Sequence, residues 1–204
     1  EKFRGAKRPE IIRECKACPV RRGCMTDLVC HTAPPEYAER IFACGELRSA
    51  VLARGLPAEV LMKEPRNAAR DPADFSHYVM FSWGNCQAGD RLVMERVLGR
   101  APAADELGAG FTPGVRFYFR YSDAEKLPGA VHDGFLPVKI RDRVDIREAF
   151  AVVIPETHRE RLGAAVPEKI RGKTYFLDDS GSDIWEWAEK VYSFVHYLAE
   201  RKQI

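Results

Sequence analysis

The sequence predicts an α+β fold, with a mixed or antiparallel sheet flanked by helices and an N-terminal cysteine-ligated metal segment. Three observations predict it. Short strand-like runs are separated by helices and loops at irregular spacing, unlike a repeating βαβ chain. The last twenty residues form an amphipathic helix pattern, and four of the six cysteines crowd within and just after one basic stretch near the start. The 204 residues, 46% hydrophobic and 30% charged, suit one ordinary domain and exclude disordered, collagen-like and coiled-coil chains. No apolar run approaches the ~20 residues of a bilayer span, so no transmembrane helix is expected. The charged stretch Glu1 to Arg13 is unlike a secretory signal, so a cytoplasmic setting is expected.

The start comes first in the element order. Residues 1–24 hold eight bases and three acids, while the remainder of the chain is mildly acidic. Within and just after this stretch, Cys15, Cys18, Cys24 and Cys30 read C-x2-C-x5-C-x5-C. Clustered cysteines in a reducing compartment point to metal, because thiolates are soft, charged ligands and a two-residue gap aims two sulfurs at one centre. One continuous loop with Pro19 favours a [4Fe–4S] cluster over zinc, which typically uses two separated knuckles. Reduced, partly buried thiols are the plain alternative. The expected division is a basic metal-binding segment over 1–30 and an α+β domain over 31–204.

After the cluster, Thr32 and the Pro34–Pro35 pair open a helix that Gly45 stops, with Tyr37, Ala38, Ile41 and Phe42 on one face. Residues 46–56 read as a helical or turn-rich piece, and 63–77 as a loop. Tyr78 to Trp83 is a strand rich in β-formers. Residues 87–98 form a helix with Leu92, Val93 and Val97 on one side, and 99–113 a loop. Val115 to Tyr121 alternates in the strand period. Val138 to Ile140 and Ala149 to Ile154 are further strands, the second wholly apolar and therefore expected at the sheet centre. Lys173 to Leu177 closes the set of strands. The final helix is capped by Ser182 or Asp183 and carries Ile184, Trp187, Val191, Val195 and Leu198 at helical spacing.

No Rossmann glycine motif, P-loop, zincin or nucleophile-elbow motif is present. Three other stretches hold the candidate chemistry. In the first, His31 and Thr32 precede the amphipathic helix with Ile41, and Gly45, Leu47 and Ser49 follow. In the second, the aromatic strand with Tyr78, Phe81 and Ser82 leads through Asn85 into a helix bearing Asp90 and Arg91. In the third, Glu148 stands at the start of the apolar strand. Together these stretches resemble the ADP-ribosyltransferase superfamily, especially its diphtheria-toxin-like and polymerase-like branch and the DNA-modifying toxins. The cysteine cluster directly before His31 departs from the toxin pattern.

The resemblance implies an NAD pocket in which His31 hydrogen-bonds a ribose hydroxyl and Thr32 orients the nicotinamide end. It implies that Tyr78 stacks on the nicotinamide, with Ser49, Ser82, Asn85 and Arg91 as further contacts. It also implies that Glu148 stabilises the cationic sugar of the transition state, with Asp145 and Glu156 as substitutes. A neutral imidazole suits a ribose hydroxyl because it offers one donor and one acceptor. The expected function is therefore NAD-dependent transfer of ADP-ribose to nucleic acid or protein, the basic start contributing phosphate contacts. Two alternatives stand beside it. One is a non-catalytic, metal-stabilised module binding nucleic acid or protein, and the other an iron–sulfur redox or sensor protein.

Overall fold

The computed structural model describes residues 26–63, 72, 74–132 and 136–201. Among them the α+β architecture is present, a mostly antiparallel sheet with helices on both faces. The seven strands lie in the spatial order β5 (Ala130–Val131), β6 (Val138–Arg141), β3 (Tyr78–Trp83), β1 (Leu28–Ala33), β4 (Val115–Arg120), β8 (Ala151–Pro155) and β9 (Thr174–Leu177). All neighbours pair antiparallel except β8 and β9. A separate antiparallel ribbon joins β2 (Glu46–Arg48) to β7 (Arg143–Asp145).

Alternation along the strands sends side chains into two cores. On the first face Val29, Phe81, Phe117, Val152 and Ile154 pack with Ala38 and Phe42 of α1 (Pro35–Cys44) and with the ribbon's Leu47 and Val144. On the second face Leu28, Cys30, Tyr118, Ala151 and Val153 pack under Trp187, Val191 and Val195 of α9 (Ile184–Arg201). The helix termini follow from local chemistry. Pro35 sits in the first turn of α1, and Gly45, at φ 74°, ends it by returning its N–H to the Ile41 carbonyl at 2.8 Å. At the start of α9, Asp183 accepts from the N–H groups of Trp185 and Glu186, and Glu186 accepts from the Asp183 N–H in return.

Several expectations are corrected. The apolar stretch expected at the sheet centre is β8, which is second from the edge; it is apolar because both of its faces are covered. The centre is β1, whose Cys-His-Thr composition carries no strand signal. This strand runs through residues 30 and 31, so the central strand starts before the boundary expected there. Residues 46–56 divide into β2, then Ser49 as the cap of a short helix, α2 (Ala50–Arg54). The helix α4 (Ala88–Leu98) turns Asp90, Val93 and Met94 inward and leaves Leu92 and Val97 about half exposed. Its inward face is set by an ion pair, not by its most apolar residues.

That ion pair anchors α4 to the sheet. Asp90 and Arg116 are both fully buried and joined by two charge-assisted bonds, one of them 3.0 Å from the Arg116 Nε. Arg116 also donates to the Tyr118 hydroxyl at 2.9 Å, and that hydroxyl donates to the Gly84 carbonyl at 3.0 Å. The second Asp90 oxygen accepts from the Gly114 N–H at 3.3 Å. Burial opposes the guanidinium charge, but the Asp90 carboxylate holds its pKa well above the ordinary value. The helix comes so close to β1 that a Cβ on Gly89 would collide with the Thr32 side chain.

Candidate nucleotide-binding site

The register of β1 decides what its residues can reach. Cys30 lies opposite Ser82 on β3 and Tyr118 on β4, so Cys30, Ser82 and Tyr118 share the second face. His31 falls on the first face, opposite Phe117 and edge-on to Phe81 with ring centroids 6.0 Å apart. Its Nδ1 is 3.0 Å from the Met80 carbonyl oxygen. A carbonyl only accepts, so Nδ1 carries the hydrogen and Nε2 keeps its lone pair. Burial, assisted by the positive charge of Arg96, lowers the His31 pKa against the opposing pull of the Met80 bond. At neutral pH the ring is therefore an uncharged acceptor in a defined tautomer. Thr32, on the opposite face, is wedged between Gly89 and Gly114 beneath α4.

The other expected contacts are dispersed. Tyr78 opens β3 on the face opposite His31, so the two do not line one pocket. The Lys139 ammonium sits 4.6 Å from the Tyr78 ring centroid and bonds Asp74 at 2.8 Å. Ser49 is buried and occupied as a helix cap: its hydroxyl accepts from the Leu52 N–H, and its own N–H bonds the Asp142 carbonyl at 2.7 Å. Ser82 donates to the Cys30 carbonyl at 3.3 Å. Asn85, in the turn after β3, has a buried side-chain oxygen without a hydrogen-bond partner among the described residues. Arg91 is partly buried in the first turn of α4.

Glu148 closes the turn Ile146–Glu148 and stands on the rim of a different cleft. This cleft, of about 430 Å³, lies between Leu127–Pro128 and the strand segment Arg141–Asp145. Asp142 in its wall has φ 64°, the one left-handed non-glycine among the described residues. The two substitute carboxylates are engaged elsewhere. Asp145 accepts from the Arg147 backbone and side chain, and Glu156 pairs with Arg159; both carboxyls are held below their ordinary pKa by those arginines. Glu148 itself makes no hydrogen bond or ion pair among the described residues.

No protein-family model, curated protein or solved structure matches this chain. On the sheet, His31 presents an oriented and uncharged acceptor.

The cysteine expectation meets a similar test. Cys15, Cys18 and Cys24 lie outside the described residues. Cys30 is buried in the second core, 3.8 Å from the Thr32 hydroxyl, and burial pushes its thiol pKa up to about 12. There it packs like a small apolar group. No group of three metal-ligating side chains occurs among the described residues.

The Asp90–Arg116–Tyr118 network carried little signal in the sequence. The sequence offers Asp90 only as an acid at a helix start near the candidate site, and Arg116 falls at the polar phase of an alternating strand.

Proposed function

We propose that this chain is an NAD-dependent ADP-ribosyltransferase-like protein that acts on nucleic acid or protein, with His31 as its nucleotide-holding group. One observation carries this reading. A partly buried histidine on the central strand is kept neutral, and a backbone carbonyl fixes its tautomer, which suits its Nε2 to accept from a ribose hydroxyl. The order of elements supports it: His31 on a strand, then α1 and β2, then an aromatic strand paired directly with β1, then Glu148 before an apolar strand. In the transfer itself, the bond between nicotinamide and ribose C1′ breaks and its electron pair leaves with nicotinamide. A target nucleophile then bonds C1′ and gives up its proton. A carboxylate such as Glu148 stabilises the cationic sugar between these events.

A second reading, nucleotide binding without turnover, is favoured by the separation of Glu148, on its own cleft, from His31. Incubation with nicotinamide-labelled NAD separates the two. Release of nicotinamide that is abolished by His31→Ala and strongly slowed by Glu148→Gln supports transfer. Binding that needs His31 without any release supports the second reading. A wild-type protein that neither binds NAD nor releases nicotinamide refutes both.

A further inference from the structure

Two arginines from different helices converge on one aromatic ring. Tyr37, in the first turn of α1, is approached by two guanidinium groups: Arg40, one turn along the same helix, at 5.6 Å from the ring centroid, and Arg96 of α4 at 4.8 Å. Both arginines are exposed, and neither has a carboxylate or carbonyl partner among the described residues. Arg100, Arg147, Arg159, Arg161 and Arg171 each rest on an acid, whereas Arg120 and Arg201 lie over Phe150 and Tyr197. Of the acids on α1, Glu39 is taken by Arg161, and the charge of Glu36 is felt at His158 and Arg161.

Two like charges gathered on one aromatic ring repel each other and gain only a modest cation–π attraction at an exposed site. An anion with several oxygens resolves the repulsion. Guanidinium forks match phosphate oxygens two at a time, which a single carboxylate could not do for both arginines together. The positive charge of Arg96 is also felt at His31.

We infer that Arg40, Tyr37 and Arg96 form a seat for the linked phosphates of a nucleotide diphosphate, adjoining the ribose-holding His31. The identity of the nucleotide rests on the NAD reading above, but the anion seat does not.

The test is calorimetric titration of the full chain with inorganic pyrophosphate and, separately, with NAD. The wild type binds pyrophosphate; Arg40→Gln and Arg96→Gln each weaken it at least tenfold, and the double variant abolishes it. Arg171→Gln, on a distant surface, binds as the wild type does, and melting curves of all variants coincide. No pyrophosphate binding by the wild type, or unchanged binding by the double variant, overturns the seat. Pyrophosphate binding with no NAD binding keeps the seat and refutes the NAD reading. Where both ligands bind, His31→Ala weakens NAD and leaves pyrophosphate unchanged.

Discussion

At the scale of single residues, the chemistry of this protein lies in how each side chain is shielded. His31 is neutral because burial lowers its pKa, and protonation would remove the acceptor at Nε2. NAD binding is therefore expected to hold steady across neutral pH and to fall in acid as the depressed folded-state pKa is crossed. Stability follows the same sign. The unfolded chain, with an ordinary histidine near 6.5, takes up the proton first, so stability is full above that value and declines below it. Comparing urea denaturation of wild type and His31→Gln at several pH values checks this: the variant loses less stability than the wild type on acidification below 6.5. Cysteine accessibility gives a second prediction. Cys44 is exposed and Cys30 buried, so a thiol-alkylating reagent modifies Cys44 in the folded protein and reaches Cys30 only after denaturation. Cys30→Ala leaves any bound iron or zinc unchanged in elemental analysis, and a loss of metal would contradict the packing described for it.

Among the elements, α4 depends most on a single interaction. Asp90 and Arg116 satisfy each other inside a dry contact, so Asp90→Asn, which leaves the guanidinium short of a partner, costs about 3–5 kcal/mol in equilibrium unfolding. Replacing both by apolar residues, as in Asp90→Leu with Arg116→Met, restores much of that loss; equal destabilisation by the single and double variants would mean that the pair itself is not what matters. Gly89→Ala drives a methyl group into Thr32 and costs about 1–3 kcal/mol by overpacking. These contacts explain what could be read from the sequence. The helices α1 and α9 and the strand β3 announce themselves through apolar spacing, a proline start, a glycine stop and a capping aspartate. The inward face of α4 does not, because a charge neutralised by a residue 26 positions away has no local signature. The same holds for β1, whose place at the centre comes from its partners. Of the expected site, His31 was legible as a donor–acceptor group, but strand alternation sets Tyr78 on the opposite face, and Ser49 is consumed in capping.

The whole molecule is a sheet covered on both sides, and this sets its vulnerability. Trp187 is fully buried where α9 crosses the second face, so Trp187→Ala opens a cavity and costs about 3–5 kcal/mol, read as a lower urea midpoint. No helix among the described residues is long and apolar enough to cross a membrane. The basic start of the chain contrasts with its mildly acidic remainder. It lies outside the described residues, whereas the Arg40–Tyr37–Arg96 group shows that cationic surface also arises within the domain.

The central position of β1 has a kinetic consequence. The His31 ring waits for a carbonyl 49 residues further along the chain, and β1 gains its second neighbour only with β4. A chain emerging from the ribosome thus presents its middle strand with both edges open until β3 has been made, and with one edge still open until β4 follows. Such long-range closure predicts slow folding, and an early window in which the unpaired strand is exposed to aggregation.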